Sequence, residues 1–270
     1  MPFAAPSRIA FFAAALAAGL ASTCEADTVM HQLAPSGKLR VAIAVGPTLS
    51  AIYATKNPDG GYRGVTIALS HALAKKLGVA LEFVPYLASG EIQASAASGV
   101  WDVSFMPVDA ERKKFVDFGN AYHLLQSTYL VPSGAPIKSV ADANKPGVRI
   151  AGVKDTATFR ASNRASPLAT HMALAGPDDC IEKMRKGEAD AIALGRESLT
   201  GVQAKLVGSR ILDDAFLNST TAIAVPKGKP EALAYVSAFI EEAKASGLVR
   251  KAFDDIGLKT SQVAPAGMKP

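Results

Sequence analysis

The residues with the clearest chemical potential follow a short apolar segment, residues 103–106, which we predict to be a β-strand. A charged turn comes next and contains Asp109 and Arg112. The planar guanidinium of arginine matches a carboxylate, because it donates two parallel charge-assisted hydrogen bonds. Arg112 is therefore a candidate residue for binding a carboxylate. The alternative is a solvated helix face, which is common for an arginine in the run Glu-Arg-Lys-Lys.

A second candidate segment begins with a predicted strand at residues 148–153 and continues to Thr156 and Thr158. Two hydroxyls at the start of a helix, together with its free N–H groups, are suited to hold an anion. Simple N-capping of the helix by Thr156 or Asp155 is the alternative. The two roles are compatible, since a capped helix start also attracts negative charge.

A third candidate segment is the predicted strand at residues 190–194, which Gly195 and Arg196 follow. Arg196 is either a second cation for a ligand or, beside Glu197, a surface residue at a helix start. Ligands of open α/β sheets bind beyond the carboxyl ends of the strands. We therefore expect the three segments to meet at one site.

The stretch from residue 99 to residue 132 resembles the signature of family 3 bacterial solute-binding proteins, the extracytoplasmic receptors of polar amino-acid ABC importers. That signature runs roughly G-x-x-D, a strand, T-x-E-R and then D-F-S-x-P-Y. The matching residues are Asp102, Glu111, Arg112, Asp117, Phe118 and Tyr122. The resemblance implies that the guanidinium of Arg112 donates two parallel hydrogen bonds to the α-carboxylate of a ligand.

Two residues near Arg112 depart from the family pattern. Pro107 stands where the family usually has a small or hydroxyl residue, and it offers a ligand neither an N–H nor a hydroxyl. Asp109 stands where the family has a threonine, and we expect it to cap the turn that carries Arg112.

Gly195 and Pro47 depart from the pattern in ways that concern the ligand itself. Amino-acid receptors of the family commonly have an aspartate, the partner of the α-amino group, at the position of Gly195. The family often carries a stacking aromatic near Pro47, for which Tyr53 or Tyr86 could substitute. The sequence therefore leaves two further possibilities open, a ligand with two acidic groups and a ligand without an amine. The expected ligand-binding residues are Pro47, Pro107, Asp109, Arg112, Thr156, Thr158, Gly195 and Arg196.

The first 26 residues have the layout of a secretory signal peptide. A segment with one positive charge precedes an apolar run at residues 9–20, which is too short to span a membrane. Small or polar residues follow, and we predict cleavage after Ala26, which would release the protein to the periplasm. Lipid attachment at Cys24 is the less favoured alternative, because Thr23 is a poor match at the position before the lipidated cysteine.

Composition excludes several other classes of protein. The chain has 270 residues and a formal net charge of +5, and its lysines and arginines form no basic stripe, so we expect no nucleic-acid partner. Its four histidines lack the spacing of metal ligands, and we expect neither a metal nor a cofactor. Cys180, the only cysteine outside the predicted leader, is expected to be a buried, inert thiol.

Predicted strands, among them residues 79–84, alternate with predicted helices at residues 65–77, 89–98 and 178–186. This alternation predicts an α/β protein with parallel sheets. The segments at residues 128–134 and 221–228 are alike, since each is a short apolar strand ending in V-P-x-G. In the resembled family these are the hinge strands between two lobes. The resemblance implies a type II periplasmic-binding-protein fold, with two parallel-type sheets joined by two hinge strands. Lobe 1 would comprise residues 27–129 and 222–270, and lobe 2 residues 130–221.

These features predict an extracytoplasmic solute-binding protein of an ABC importer. It would be a monomer without catalytic residues that captures a small carboxylate in the cleft and delivers it to a membrane permease. One alternative on the same scaffold is a periplasmic enzyme of the cyclohexadienyl dehydratase type, with Glu197 as its candidate general acid. A sensory ligand-binding module is the other.

Overall fold

The computed structural model describes residues 27–45 and 51–270. The strands of its main sheet are β1 (Lys38–Ala44), β4 (Ala80–Tyr86), β5 (Val103–Pro107), β6 (Val116–Val131), β7 (Arg149–Val153), β8 (Thr170–Leu174), β9 (Ala191–Gly195), β10 (Arg210–Ile211), β11 (Leu217–Pro226) and β12 (Gln262–Val263). A separate hairpin consists of β2 (Thr55–Lys56) and β3 (Tyr62–Arg63).

The helices cover the faces of this sheet. They are α1 (Val65–Leu77), α2 (Ser89–Ala94), α3 (Val140–Ala143), α4 (Ala157–Ala165), α5 (Pro177–Arg185), α6 (Arg196–Lys205), α7 (Pro230–Ala245) and α8 (Leu248–Asp254). A 3₁₀ turn, Arg112–Lys114, lies between β5 and β6, and residues 27–33 are also helical.

The main sheet has two parallel halves joined by a pair of long antiparallel strands. Its order is β4-β1-β5-β11-β6-β9-β7-β8. In the first half β1 pairs in parallel with β4 and β5, and in the second half β7 pairs in parallel with β8 and β9. The predicted parallel pairing is therefore present in each half of an α/β architecture.

Strands β6 and β11 connect the halves. They pair antiparallel along most of their length, so one strand carries the chain into the second half and the other carries it back. Strand β11 also pairs with β5 of the first half, whereas β6 pairs with β9 of the second. The bounds of the two lobes stay a prediction.

Each half has its own hydrophobic core on both faces of the sheet. In the first half, α1, α7 and α8 cover one face, and Trp101 lies in the smaller cluster on the other. In the second half, α5 and α6 contribute to one cluster, which includes Cys180, while Ile150 and Leu212 lie in another. The two halves are therefore packed around separate hydrophobic clusters.

The same arginine–aspartate pair recurs in the two halves. Arg40 on β1 donates from Nε to Oδ2 of Asp102 at 3.0 Å and from a terminal nitrogen to Oδ1 at 2.7 Å. Arg149 on β7 contacts Asp190 in the same way, at 3.0 and 2.8 Å. Each aspartate immediately precedes the strand beside the arginine's strand, so these carboxylates tie parallel neighbours together and do not serve a ligand.

Helix bounds follow the sequence prediction where terminators are strong. The helix predicted at 65–77 is α1, and Gly78 ends it with a left-handed φ of 71°. The helix predicted at 89–98 is wrong in length, since α2 ends at Ala94. The strand predicted at 128–131 is only the end of the 16-residue strand β6.

Candidate functional site

A cavity of about 540 Å³, including its mouth, lies between the two halves of the sheet. Four strands present their carboxyl ends to it, as expected for ligands of open α/β sheets. The residues that line it are Ala44, Tyr53, Leu87, Ala88, Ser89, Pro107, Val153, Thr156, Ala157, Thr158, Pro177, Leu194, Gly195 and Ser198. Pro107, Thr156, Thr158 and Gly195 were predicted for the site, while Pro47 lies outside the described residues.

Arg112 lies directly behind the cavity wall and is fully buried. One of its terminal nitrogens donates to the carbonyl of Pro107 at 2.8 Å, and the other donates to Oγ of Ser89 at 2.6 Å. Both partners line the cavity. Two of its five N–H groups are used in this way, and the Nε group has no hydrogen-bond partner among the described residues.

The electrostatic environment of Arg112 is unusual for a buried cation. Burial, which outweighs the opposing effect of Asp109 and acts together with the positive charge of Arg160, lowers the pKa of its guanidinium to about 10. Within the described part of the chain, no carboxylate oxygen lies within 4.0 Å of the Arg112 guanidinium. A buried charge without a paired anion costs free energy, which a bound carboxylate would offset.

Asp109 contributes to the site without lining it. Its Oδ1 accepts a 2.8 Å hydrogen bond from the backbone N–H of Arg112, which is the predicted capping of this turn. Its Oδ2 accepts from Nε of Arg160 at 2.9 Å, and the same two side chains form an ion pair. Because Arg160 lies on α4 of the second half, the pair joins the halves across the cleft.

The two threonines lie at the amino end of α4, on the opposite side of the cleft from Arg112. Thr156 is the N-cap: its Oγ1 accepts from the N–H of Phe159 at 3.1 Å and donates to the carbonyl of Val153 at 2.8 Å. Thr158 is buried, and its hydroxyl lies 3.1 Å from that of Ser127 on β6. The capping role of Thr156 and the anion-attracting end of the helix therefore coexist.

Helix α6 also begins at the cavity. Gly195 is its N-cap and has no side chain to satisfy the first-turn N–H groups, while Ser198 in the first turn lines the wall. The positive ends of α4 and α6 thus face one cavity from the same half.

Arg196 and Glu197 do not line this cavity. The guanidinium of Arg196 donates to the carbonyls of Leu212 and Asp213, at 3.1 and 2.8 Å. Oε1 of Glu197 lies 3.0 Å from Nε2 of His123, and the protonation of these two groups decides which one donates. The same oxygen accepts a hydrogen bond from Ser261 at 3.3 Å. The prediction that Arg196 supplies a second cation to the cleft is wrong, because backbone carbonyls at the end of the second half hold its side chain.

Sequence reasoning missed Ser89 and Ser198, and it named Tyr53 only as a possible substitute ring. Tyr53 lines the cavity, and burial raises the pKa of its hydroxyl well above the ordinary value, so the phenol stays a neutral donor. Tyr86 instead pairs with Ser95. A useful signal for Ser89 was available, since it follows the carboxyl end of a predicted strand.

Other candidate chemistry is absent from the described residues. Cys180 is buried, and burial raises the pKa of its thiol to about 12, in keeping with the expected inert thiol. No group of three or more histidine, cysteine or acidic residues in residues 27–45 and 51–270 could hold a metal ion. No helix in these ranges combines the length and apolar character of a membrane span.

A family model matches most of the chain. The model for bacterial extracellular solute-binding proteins, family 3, covers residues 41–256. The chain is 25% identical over 231 residues to the ABC transporter glutamine-binding protein GlnH of Bacillus subtilis (strain 168), covering 81% of this chain and 80% of that protein.

Solved structures share the fold. The ancestral amino acid-binding protein AncCDT-1, described as a precursor of cyclohexadienyl dehydratase, matches with a TM-score of 0.73 and 30% identity, over 85% of this chain and 98% of that one. The amino acid ABC transporter substrate-binding protein AbpA of Streptococcus pneumoniae Canada MDR_19A, bound to L-arginine, matches with a TM-score of 0.73 and 25% identity, over 83% and 96%. The predicted fold, that of type II periplasmic binding proteins, is confirmed.

Proposed function

This chain belongs to the bacterial extracellular solute-binding proteins, family 3, and we propose that it captures a small carboxylate, an amino acid or a compound like one, in the cleft between two lobes. The lobe that carries Arg112 would hold the carboxylate from one side. The amino end of α4 would complete the contact from the other, through N–H groups and the helix dipole.

The observation that carries this proposal is the buried, unpaired guanidinium of Arg112 against the wall of the inter-half cavity. Its Nε has no hydrogen-bond partner within residues 27–45 and 51–270, and the cavity-lining Ser89 and Pro107 hold its other nitrogens. A fixed fork of N–H donors in a desolvated setting favours a planar anion over any neutral ligand. A carboxylate is the anion that such a small, mostly apolar cavity accommodates.

Delivery to an ABC permease follows from the same architecture. A ligand that contacts both halves stabilises the closed arrangement, so its binding energy is converted into a change of shape that a membrane partner can recognise. The glutamine-binding relative named above is described as part of an ABC transporter. We place this chain in the periplasm as the receptor of such an importer.

An enzymatic role receives less support. The candidate general acid, Glu197, lines a different pocket from the cavity and is held by His123 and Ser261. None of the described residues in the wall of the inter-half cavity is a carboxylic acid. The geometry therefore favours binding over proton transfer to a bound substrate.

A thermal-shift screen of the purified protein tests the proposal. The panel contains amino acids, their deaminated analogues, dicarboxylates and neutral amides of the same size. A ligand that binds only the folded state raises the melting temperature, by an amount that grows with its concentration above Kd. We expect carboxylates, and not the matched amides, to stabilise the protein.

Arg112→Met and Arg112→Lys are the informative variants. Methionine removes the charge, whereas lysine keeps it without the fork, so both should lose most of the shift. Arg164→Gln is the matched control, because Arg164 is exposed on α4 away from the cavity lining. Stabilisation that survives in Arg112→Met would exclude the proposed role of Arg112, and stabilisation by amides alone would exclude carboxylate capture.

A further inference from the structure

We propose that the ligand is a monocarboxylate with an uncharged body and no ammonium group. This inference rests on the proposed function and narrows its ligand. It separates this chain from a receptor for ordinary zwitterionic amino acids.

The described lining of the cavity carries no negative charge. It contains no aspartate or glutamate, and Arg112 lies directly behind it. An ammonium group in this cavity would therefore be desolvated beside a cation with no lining carboxylate to pair with it.

Two acids that neighbour lining residues along the chain have partners of their own: Asp178 pairs with Lys205, and Glu91 accepts from the backbone N–H of Leu87. Three further acids near the site are also engaged elsewhere. Asp109 pairs with Arg160, and Glu197 contacts His123 and Ser261. Asp155 is exposed and belongs to a separate outer pocket. None of the three is part of the cavity lining.

Helix orientation adds to the positive character of the site. Helices α4 and α6 both begin at the wall, with Ala157 and Ser198 of their first turns in the lining. Amino ends of helices stabilise anions and disfavour cations. A zwitterion would be stabilised at its carboxylate and destabilised at its ammonium group. A monoanion would only be stabilised.

The body of the ligand meets mostly aliphatic side chains and one aromatic ring. Leu87, Val153, Leu194 and Pro177 line the wall together with Tyr53. A second acidic group would meet no lysine or arginine among the described lining residues, and Arg196 donates to backbone carbonyls outside the cavity. The two-acid ligand that the sequence left open is therefore disfavoured.

Isothermal titration with matched pairs tests this inference. The pairs are 4-methylpentanoate with L-leucine, 3-phenylpropanoate with L-phenylalanine, and 4-carbamoylbutanoate with L-glutamine. Within a pair the body is the same and only the ammonium differs. We expect the deaminated member of the best-fitting pair to bind at least tenfold more tightly than its amino acid.

Gly195→Asp should reverse this preference. The backbone at Gly195, with φ −63° and ψ 144°, is open to any L-residue, and a Cβ there would lie 3.1 Å from Cδ1 of Leu125, the movable end of a side chain. The new carboxylate would pair with an ammonium, so we expect the tenfold preference to fall to unity or below. Gly195→Asn has the same shape without the charge and should keep the wild-type preference.

The possible outcomes are distinct. Equal or tighter binding of the amino acids by the wild type would overturn this inference while leaving carboxylate capture intact. If that binding were lost in Glu197→Gln, Glu197 would be the missing partner of the ammonium. Failure of every acid and amino acid in the panel to bind would overturn both this inference and the proposed function.

Discussion

At the scale of single residues, the site depends on one arginine that the fold buries without an anion. Arg112 was predicted for the carboxylate from its place after a strand and from the surrounding motif. The sequence could not show that Ser89 and Pro107 would hold the guanidinium, because Ser89 is 23 residues away and reaches it only in the folded chain. Arg196, next to the cavity-lining Gly195, was wrongly assigned because its orientation depends on carbonyls that follow much later in the chain.

Burying Arg112 should cost stability in the unliganded protein. Since burial lowers its pKa to about 10, the folded state disfavours the protonated form, and the cost is fully present at any pH below about 10. We expect Arg112→Met to raise the free energy of unfolding by a net amount of about 1 kcal/mol, because removing the buried charge outweighs the loss of two hydrogen bonds. Urea unfolding of the unliganded proteins at pH 7 measures this.

The matched variant Arg112→Lys keeps a buried charge, so it should not be more stable than the wild type. A methionine variant that is clearly less stable than the wild type would show that Arg112 holds the unliganded fold together. Its loss could then not be read as a loss of ligand contact alone.

At the scale of elements, the two halves repeat one construction. In each, an aspartate immediately before a strand accepts bonds from an arginine on the parallel neighbour, as Asp102 does from Arg40 and Asp190 from Arg149. This geometry gives Asp190, like Asp102, a structural role. The pairs differ in burial: the Asp102 side chain is 0% exposed, and that of Asp190 is 36% exposed.

This difference predicts unequal losses of stability. Asp102→Asn removes the negative charge from a fully buried hydrogen-bond network and should lower the free energy of unfolding by about 3 kcal/mol. Asp190→Asn is partly solvated and should cost about 1 kcal/mol. Chemical denaturation of the two variants side by side measures both, and equal losses would contradict a role for burial.

Element boundaries were predictable where a local signal ends the element. Gly78 stops α1 and Gly187 follows the end of α5, so those helices were located closely. Strand β6 was underestimated, because its first half is held by β11, about a hundred residues later, and not by local sequence. Strand β8 and helix α8 were not predicted, since short segments with mixed polarity carry little periodic signal.

At the scale of the whole molecule, the structure is closed around the cavity. The ion pair between Asp109 and Arg160 spans the cleft. Nearby, Gly90 contacts the second half so closely that a Cβ on it would lie 2.6 Å from Cβ of Asp155. Both contacts involve a residue of each half.

We therefore expect Arg160→Gln to weaken ligand binding without touching the ligand. Loss of one interlobe ion pair should cost about 1 kcal/mol of closure, which lowers affinity roughly fivefold. Isothermal titration gives the affinity, and small-angle X-ray scattering of the liganded protein should show a larger radius of gyration than the wild type. Arg164→Gln, an exposed change on the same helix, should alter neither the affinity nor the radius of gyration. An unchanged affinity in Arg160→Gln would show that the Asp109–Arg160 pair has no role in closure.

The account as a whole depends on where a ligand's carboxylate lies. The most direct measurement is a crystal structure of the protein with the best ligand from the carboxylate panel. We expect carboxylate oxygens about 3 Å from nitrogens of Arg112 and from first-turn N–H groups of α4. A ligand bound between the halves with its carboxylate away from Arg112, or bound outside the cleft, would contradict the account.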